Sequence, residues 1–216
     1  MQDSLSQDFT LAALVHDLKN VFETIGDAAE LLAGDPHWSH VAGAIDRAVE
    51  RGQRIANSFQ EAAGTFELEA ILSNAIQSTQ DFLLTSRTPA LEFVRDIEPG
   101  IRLAGRPASW ERVFVNLFLN SARVMRKGGT IEISASRQED RVEIVVCDTG
   151  PGIPAEILSQ VFRRGFSTDR SRTGLGLSIV EAIVREHGGE VMAGNRDGGG
   201  ARIAIRVPDL QVAVAG

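Results

Sequence analysis

The chain has a single cysteine, Cys147, which excludes an intramolecular disulfide. Inside an apolar strand-like run it reads as a small buried hydrophobe. No apolar run approaches the roughly 18 residues of a membrane span, and the N-terminus carries neither a basic start nor a hydrophobic signal core. No direct membrane insertion is expected, and the location expected is cytoplasmic. Basic excess is missing too: 22 Lys and Arg stand against 29 Asp and Glu, a formal charge of −7. Nonspecific nucleic-acid binding wants a basic patch, so no nucleic-acid partner is expected. There is no internal repeat and no low-complexity tract. At 216 residues the chain exceeds one minimal core. It suits a small helical hairpin plus one α/β domain of roughly 150 residues.

Two glycine boxes carry the most information. Asp148-Thr149-Gly150-Pro151-Gly152 ends one strand-like run, and Gly174-Leu175-Gly176-Leu177 opens an apolar helix. A buried carboxylate followed by backbone free to take positive φ is what a site needs to accept an adenine amino group while the chain turns closely around the base. The second box puts bare backbone amides at a helix N-terminus, where a phosphate can sit. Upstream, residues 107–125 are apolar-periodic, started by Pro107 and ended at Gly128-Gly129. At helical spacing Asn116, Asn120, Arg123 and Lys127 fall on one face, offering amide oxygens and cations side by side. An amide carbonyl suits magnesium, which borrows further ligands from water and substrate phosphates.

At the N-terminal end Leu11, Leu14, Leu18, Val21, Ile25, Ala28 and Leu32 follow an alternating three-and-four spacing, the seam of a bundle helix. Val41, Ile45, Ala48, Gly52, Ile55 and Phe59 repeat it after a turn at residues 34–39, so the two segments make an antiparallel hairpin. Val15, Phe22 and Ala29 widen the apolar stripe beyond what one hairpin buries, so two chains are expected to form a four-helix bundle. His16 lies two positions past Leu14, on the face of Asn20, Glu23 and Asp27, and is read as pointing at solvent.

The heptad spacing stops near residues 62–65. Residues 67–79 read as a helix, 91–97 and 101–104 as strands, 107–125 as the asparagine helix, 130–136 and 142–148 as strands, and 175–187 as a helix. Two last strands flank Gly198-Gly199-Gly200. The order suits a helix layer on one mixed sheet.

The ordered motifs resemble those of a family. Residues 116–120 resemble the N box of bacterial sensor histidine kinases, 148–152 the first glycine box, 162–168 the F box and 174–177 the second glycine box. Residues 198–208 are similar to the closing glycine turn and strand, and His16-Asp17-Leu18-Lys19-Asn20 resembles the H box. The chain is thus similar to a kinase transmitter region, and the fold implied is α+β. A hairpin at 1–63 forms a dimeric four-helix bundle, an α/β sandwich at 64–210 binds ATP in the manner of gyrase-type topoisomerases and Hsp90-type chaperones, and 211–216 is a tail.

The resemblance implies ATP and Mg2+ as cofactors and a response regulator receiver domain as partner. His16 is then the nucleophile for the γ-phosphoryl group and Asp17 its base. The chemistry agrees, since a neutral imidazole is available near neutral pH and a neighbouring carboxylate can orient it. Asn20 takes the place of the amide that aligns water for dephosphorylating a partner aspartyl-phosphate. Nucleotide contacts are implied for Asn116, Asn120, Arg123 and Lys127, for Asp148, Gly150 and Gly152, and for Thr173, Gly174, Leu175, Gly176 and Leu177. Asn120 is the implied metal ligand. Between the boxes Arg163, Arg164, Arg170 and Arg172, with Phe162 and Phe166 as anchors, suit a lid over the phosphates, without a choice among the arginines.

Three features depart from the family. Val21 stands where many members carry a helix-kinking proline, and Arg163 replaces an acidic residue of the F box. No sensor, linker helix or receiver is present, so either the sequence is a trimmed piece or a separate sensor protein supplies the input. Two other readings use parts of the same pattern. A histidine phosphotransfer hub would leave the glycine boxes idle. An ATPase or chaperone of the shared fold would need a general base, and Asn116 stands where those hydrolases carry a glutamate.

Overall fold

The computed structural model describes residues 2–35, 37–58, 63–86, 88–167 and 173–211; side chains of residues 2–14, 16, 40, 44, 47, 50, 51, 54, 55, 57 and 58 lie outside that description. The chain divides into two compact units, Met1–Ala62 and Ala63–Gly216.

The first unit is two helices, α1 (Gln2–Ala33) and α2 (Ser39–Ser58). Val15 and Ala29 of α1 and Ala42, Val49 and Ala56 of α2 are buried at steps of seven or fourteen residues. The Phe22 ring fills the space a side chain on Gly52 would need, and a Cβ on Gly26 would sit 3.7 Å from Val49 Cγ1. Position 22 therefore meets 52 while 26 meets 49, so the helices run antiparallel. The helices meet on the set that only widened the stripe, and the expected seam is displaced outward. Leu18 is 38%, Val21 53%, Ile25 41% and Leu32 37% exposed, and Ala28 is exposed as well. The reason is size: alanines and Gly52 let two helix backbones approach where leucines and isoleucines would hold them apart. The side chains of Leu11, Leu14, Ile55 and Phe59 lie outside the described set.

The second unit contains β1 (Gly64–Glu67), α3 (Leu68–Thr85), β2 (Leu91–Ile97), β3 (Arg102–Gly105), α4 (Pro107–Val124), β4 (Gly129–Gln138), β5 (Arg141–Asp148), α5 (Gly176–Glu186), β6 (Glu190–Asn195) and β7 (Ala201–Pro208). Five strands form a mixed sheet in the order β2-β4-β5-β7-β6, with β2 parallel to β4 and the others antiparallel. A second, two-stranded sheet pairs β1 with β3. The helices α3, α4 and α5 pack in a row, and their apolar faces join one sheet face in a single core. Trp110, Phe114 and Phe118 of α4 stack within it, above Ile131, Ile133, Ile144 and Ile205. Burying one such side chain contributes roughly 1.5–3 kcal/mol, which fixes α4 firmly on the sheet. This is an α/β sandwich.

Several boundaries differ from the sequence reading. β1 is a strand where no strand was expected, because its partner lies more than thirty residues away and four residues show no period. α3 runs six residues past Thr79, whose hydroxyl is absorbed by Ala75 O at 2.8 Å while Leu83 is buried one turn on. α4 stops at Val124, so Lys127 is not on the asparagine face. It lies in an exposed turn closed by Gly128 N donating to Met125 O at 2.9 Å, with Gly128 at φ 84°.

Opposite the glycine boxes, Arg137 ties the β2–β3 turn to Asp209, the residue that follows β7. It donates to Glu98 Oε1 at 2.6 Å and Gly100 O at 2.8 Å, and its Nε lies 3.4 Å from the buried Asp209. Hydrogen bonds from the Arg137 backbone and guanidinium hold the Glu98 carboxyl below its ordinary range.

Cys147 corrects another expectation. Along β5 the alternation sends Val142, Ile144, Val146 and Asp148 into the core, leaving Cys147 half-buried on the other face. Burial pushes its thiol above the usual value, against the opposing pull of Arg196 and Arg202. Because the thiolate is the reactive form, iodoacetamide at about pH 8 should label the folded chain several-fold more slowly than the urea-unfolded chain. Equal rates by mass spectrometry would refute this account.

Candidate functional site

One end of the main sheet gathers Asp148, the glycines of both boxes, Asn116 and Asn120. Asp148, the last residue of β5, is 4% exposed, yet three donors surround it. Its Oδ1 accepts from Gly150 N at 2.9 Å and Ala201 N at 3.0 Å, while Oδ2 accepts from the Ser121 hydroxyl at 2.9 Å. These three hydrogen bonds satisfy the buried carboxyl group and fix the turn after β5. Oδ2 keeps acceptor capacity beyond the Ser121 bond.

The glycines around Asp148 are explained by what surrounds them. A Cβ on Gly150 would lie 2.9 Å from Asp148 Oδ1 and 3.0 Å from Val124 Cγ2; one on Gly152, at φ 79°, would lie 2.8 Å from Asn195 Oδ1. Asn195 in turn accepts from Ile153 N at 2.7 Å and donates to Ile153 O at 2.8 Å. Val124, 49% exposed at the end of α4, adds an apolar surface beside Gly150.

The second glycine box packs directly on the asparagines. Gly176 begins α5, and a Cβ there would come within 3.3 Å of Asn116 Oδ1 and 3.7 Å of the Asn120 carboxamide. Asn116 donates to Arg112 O at 2.8 Å, and Asn120 Oδ1 accepts from Arg123 at 2.6 Å. Gly174, at φ 63°, accepts from Gly165 N at 3.1 Å, so the middle of the F box and the start of the second glycine box are pinned together. Leu175 precedes the helix without a side-chain cap, leaving the first-turn amides available to an anion. Leu177 packs against the core and Thr173 is exposed. Arg163 and Arg164 are exposed; Arg170 and Arg172 lie outside the described residues.

In the first unit Asp17 and Asn20 are exposed on α1, and the His16 side chain lies outside the described set. Asn20 O accepts from the Thr24 hydroxyl at 2.9 Å.

The geometry fits a nucleoside triphosphate. An acceptor buried beside two close-packed glycines suits an amino-bearing base, and uncapped helix amides beside two carboxamides suit phosphates. Among the described residues no group of three His, Cys, Asp or Glu could hold a metal ion. A carboxamide oxygen such as Asn120 Oδ1 is a suitable ligand for a divalent cation that takes its remaining ligands from phosphates and water.

Residues 105–211 match the histidine kinase-, DNA gyrase B- and HSP90-like ATPase family. Relatives that align along nearly the whole sequence include sensor histidine kinases. The chain is 28% identical over 230 residues to the sensor histidine kinase ZraS of Escherichia coli (strain K12), covering 96% of this chain and 48% of that protein. It is 30% identical over 216 residues to the sensor protein CreC of the same strain, covering 90% of this chain and 44% of that protein. Among solved structures, the mycobacterial sensor histidine kinase MprB matches with a TM-score of 0.60 at 25% identity, covering 68% of this chain and 98% of that chain. The chain spans about half the length of the curated relatives it matches.

Two residues of this site escaped the sequence reading. Ser121 looked like one more polar residue in an apolar helix; its position immediately after Asn120, on a buried face, was the available signal. Asn195 had none, because its partner is 42 residues away.

Proposed function

We propose that the chain is the ATP-dependent protein-histidine autokinase part of a two-component system. The supporting observation is that Asn116 and Asn120 face Gly176 at the start of α5, at the same end of the fold as the Asp148 turn. In this reading the Asp148 carboxylate accepts the adenine amino group, and the α5 amides, Gly174 and Gly176 receive phosphate oxygens. A neutral ring nitrogen of His16 attacks the γ-phosphorus. A P–N bond forms as the bond to the bridging oxygen breaks, ADP leaves, and Asp17 takes the proton from the imidazole. A Mg2+ ion held by Asn120 would offset the phosphate charge, with Arg123 turning from the Asn120 oxygen toward phosphate. The phosphoryl group then passes to an aspartate of a response regulator, and Asn20 positions water when that aspartyl-phosphate is removed. Incubation with γ-labelled ATP and magnesium tests the proposal: a label on protein that is lost in acid and kept in base supports it, and an acid-stable label refutes it.

The unit also functions as a homodimer in this reading. Leu18, Val21, Ile25 and Leu32 form an exposed apolar stripe beside the face that packs on α2, more than a lone hairpin would leave to water. Val21→Glu with Ile25→Glu should convert a two-copy sedimentation mass into a one-copy mass. A wild-type chain that sediments as one copy at micromolar concentration overturns the dimer.

A further inference from the structure

We propose that Asn195 is a positioning residue for the nucleotide: through Ile153 it holds the loop after Asp148 in the shape that binds ATP. This rests on reading that loop as the ATP site. Residues 149–154 form no helix or strand, so their shape depends on a few tethers. At the entry, Asp148 is held by Gly150 N and Ala201 N, and Thr149 N donates to Thr130 O at 3.2 Å. At the exit the Asn195 carboxamide serves both polar groups of one residue, accepting from Ile153 N at 2.7 Å and donating to Ile153 O at 2.8 Å. That is the pairing a neighbouring strand would supply, delivered by a side chain.

Both tethers start from one turn. Asn195 ends β6, Ala201 begins β7, and the two are paired in register. Between them Arg196 N donates to Gly200 O at 3.0 Å, and the Arg196 guanidinium lies 3.0 Å from Glu132 Oε1 on β4. The turn is thus braced against the middle of the sheet while it grips both ends of the glycine loop. Asn195 also walls in Gly152, whose φ of 79° only glycine adopts readily. Without the clamp the loop would spread over other shapes, and apparent affinity would fall in proportion to the receptive fraction. Once nucleotide is bound the loop is restored, so the chemical step is spared.

The test uses ADP titration and autophosphorylation of the full chain. Asn195→Ala should weaken ADP binding about tenfold, the result of a receptive fraction near one tenth, with the rate at saturating ATP within about twofold of wild type. Asn195→Asp supplies a signature that general destabilisation does not. Near neutral pH its carboxylate would face Ile153 O, acceptor against acceptor, and binding should be weak. Toward about pH 5 a protonated carboxyl could donate to that oxygen and still accept from Ile153 N, so affinity relative to wild type should recover. Unchanged ADP affinity in Asn195→Ala, or an equal loss of the saturating rate, overturns the proposal. If Asn195→Ala fails to fold, the two-pH comparison of Asn195→Asp decides, and no recovery overturns it. Failure of the wild-type chain to bind ADP would instead refute the ATP reading.

Discussion

His16→Gln should bind ATP as tightly as the parent chain, carry no acid-labile phosphoryl group, and hydrolyse ATP only at a trace rate. The three outcomes have separate causes. Affinity is kept because the residue sits on α1 in the first compact unit, whereas Asp148, Asn116, Asn120 and Gly176 belong to the second. The label is lost because a carboxamide has no nucleophilic nitrogen near neutral pH. Hydrolysis stays low because activating water needs a general base, which typically contributes about 10²- to 10⁴-fold. Asn116 fills the place one turn before Asn120, and its amide Nδ2 is already committed to Arg112 O at 2.8 Å. Neither a carboxylate nor a free lone-pair nitrogen is available there. Labelling, nucleotide titration and steady-state phosphate release measure the three. Brisk multiple turnover by this variant, surviving removal of contaminating ATPases, would favour an ATPase of the shared fold, and persistent labelling would remove His16 from its role.

What the sequence disclosed was mostly local. The alternation at Val142, Ile144 and Val146 announced β5 and its buried face, because a period of two is visible in a single strand. Pro107 and the glycines at 128 and 129 bracketed α4, and the two glycine boxes announced turns that do carry positive φ, at Gly152 and Gly174. What stayed hidden depends on distant partners. The strand β1 exists because β3 pairs with it. Asp148 owes its burial to Ser121 and Ala201, neither of which adjoins it in sequence. On α1 the pattern displayed two apolar stripes and gave no way to tell which one α2 covers. The choice turned on the small residues of α2: Ala42 and Ala56 are buried, and Gly52 leaves room for the Phe22 ring. Lys127 was misplaced by extending a helical period past the point where Gly128 turns the chain.

Asp148→Asn should leave the fold intact while weakening ATP binding by roughly 10- to 100-fold, the equivalent of about 1–3 kcal/mol for a mispaired buried group. The network around Asp148 predicts this separation. An asparagine can keep its Oδ1 where Asp148 Oδ1 now accepts from Gly150 N and Ala201 N. Its Nδ2 then takes the place of Oδ2, where the Ser121 hydroxyl can turn its proton away and accept instead. The turn is therefore still held, and the melting temperature should move by only a few degrees. The adenine amino group has no such choice: it is a donor, and it would meet a donor. A purine with a carbonyl at that position would meet a partner, so the preference for ATP over GTP should narrow in the same variant. Gly176→Ala provides the contrast. Its methyl would press on Asn116 Oδ1 at 3.3 Å, at the phosphate end, so affinity should fall for both nucleotides with their ratio unchanged. Calorimetric titration of ATP and GTP against the two variants distinguishes the base end of the site from the phosphate end. Wild-type ATP affinity in Asp148→Asn would mean that this carboxylate serves the turn alone, and the site for the base would have to be sought elsewhere.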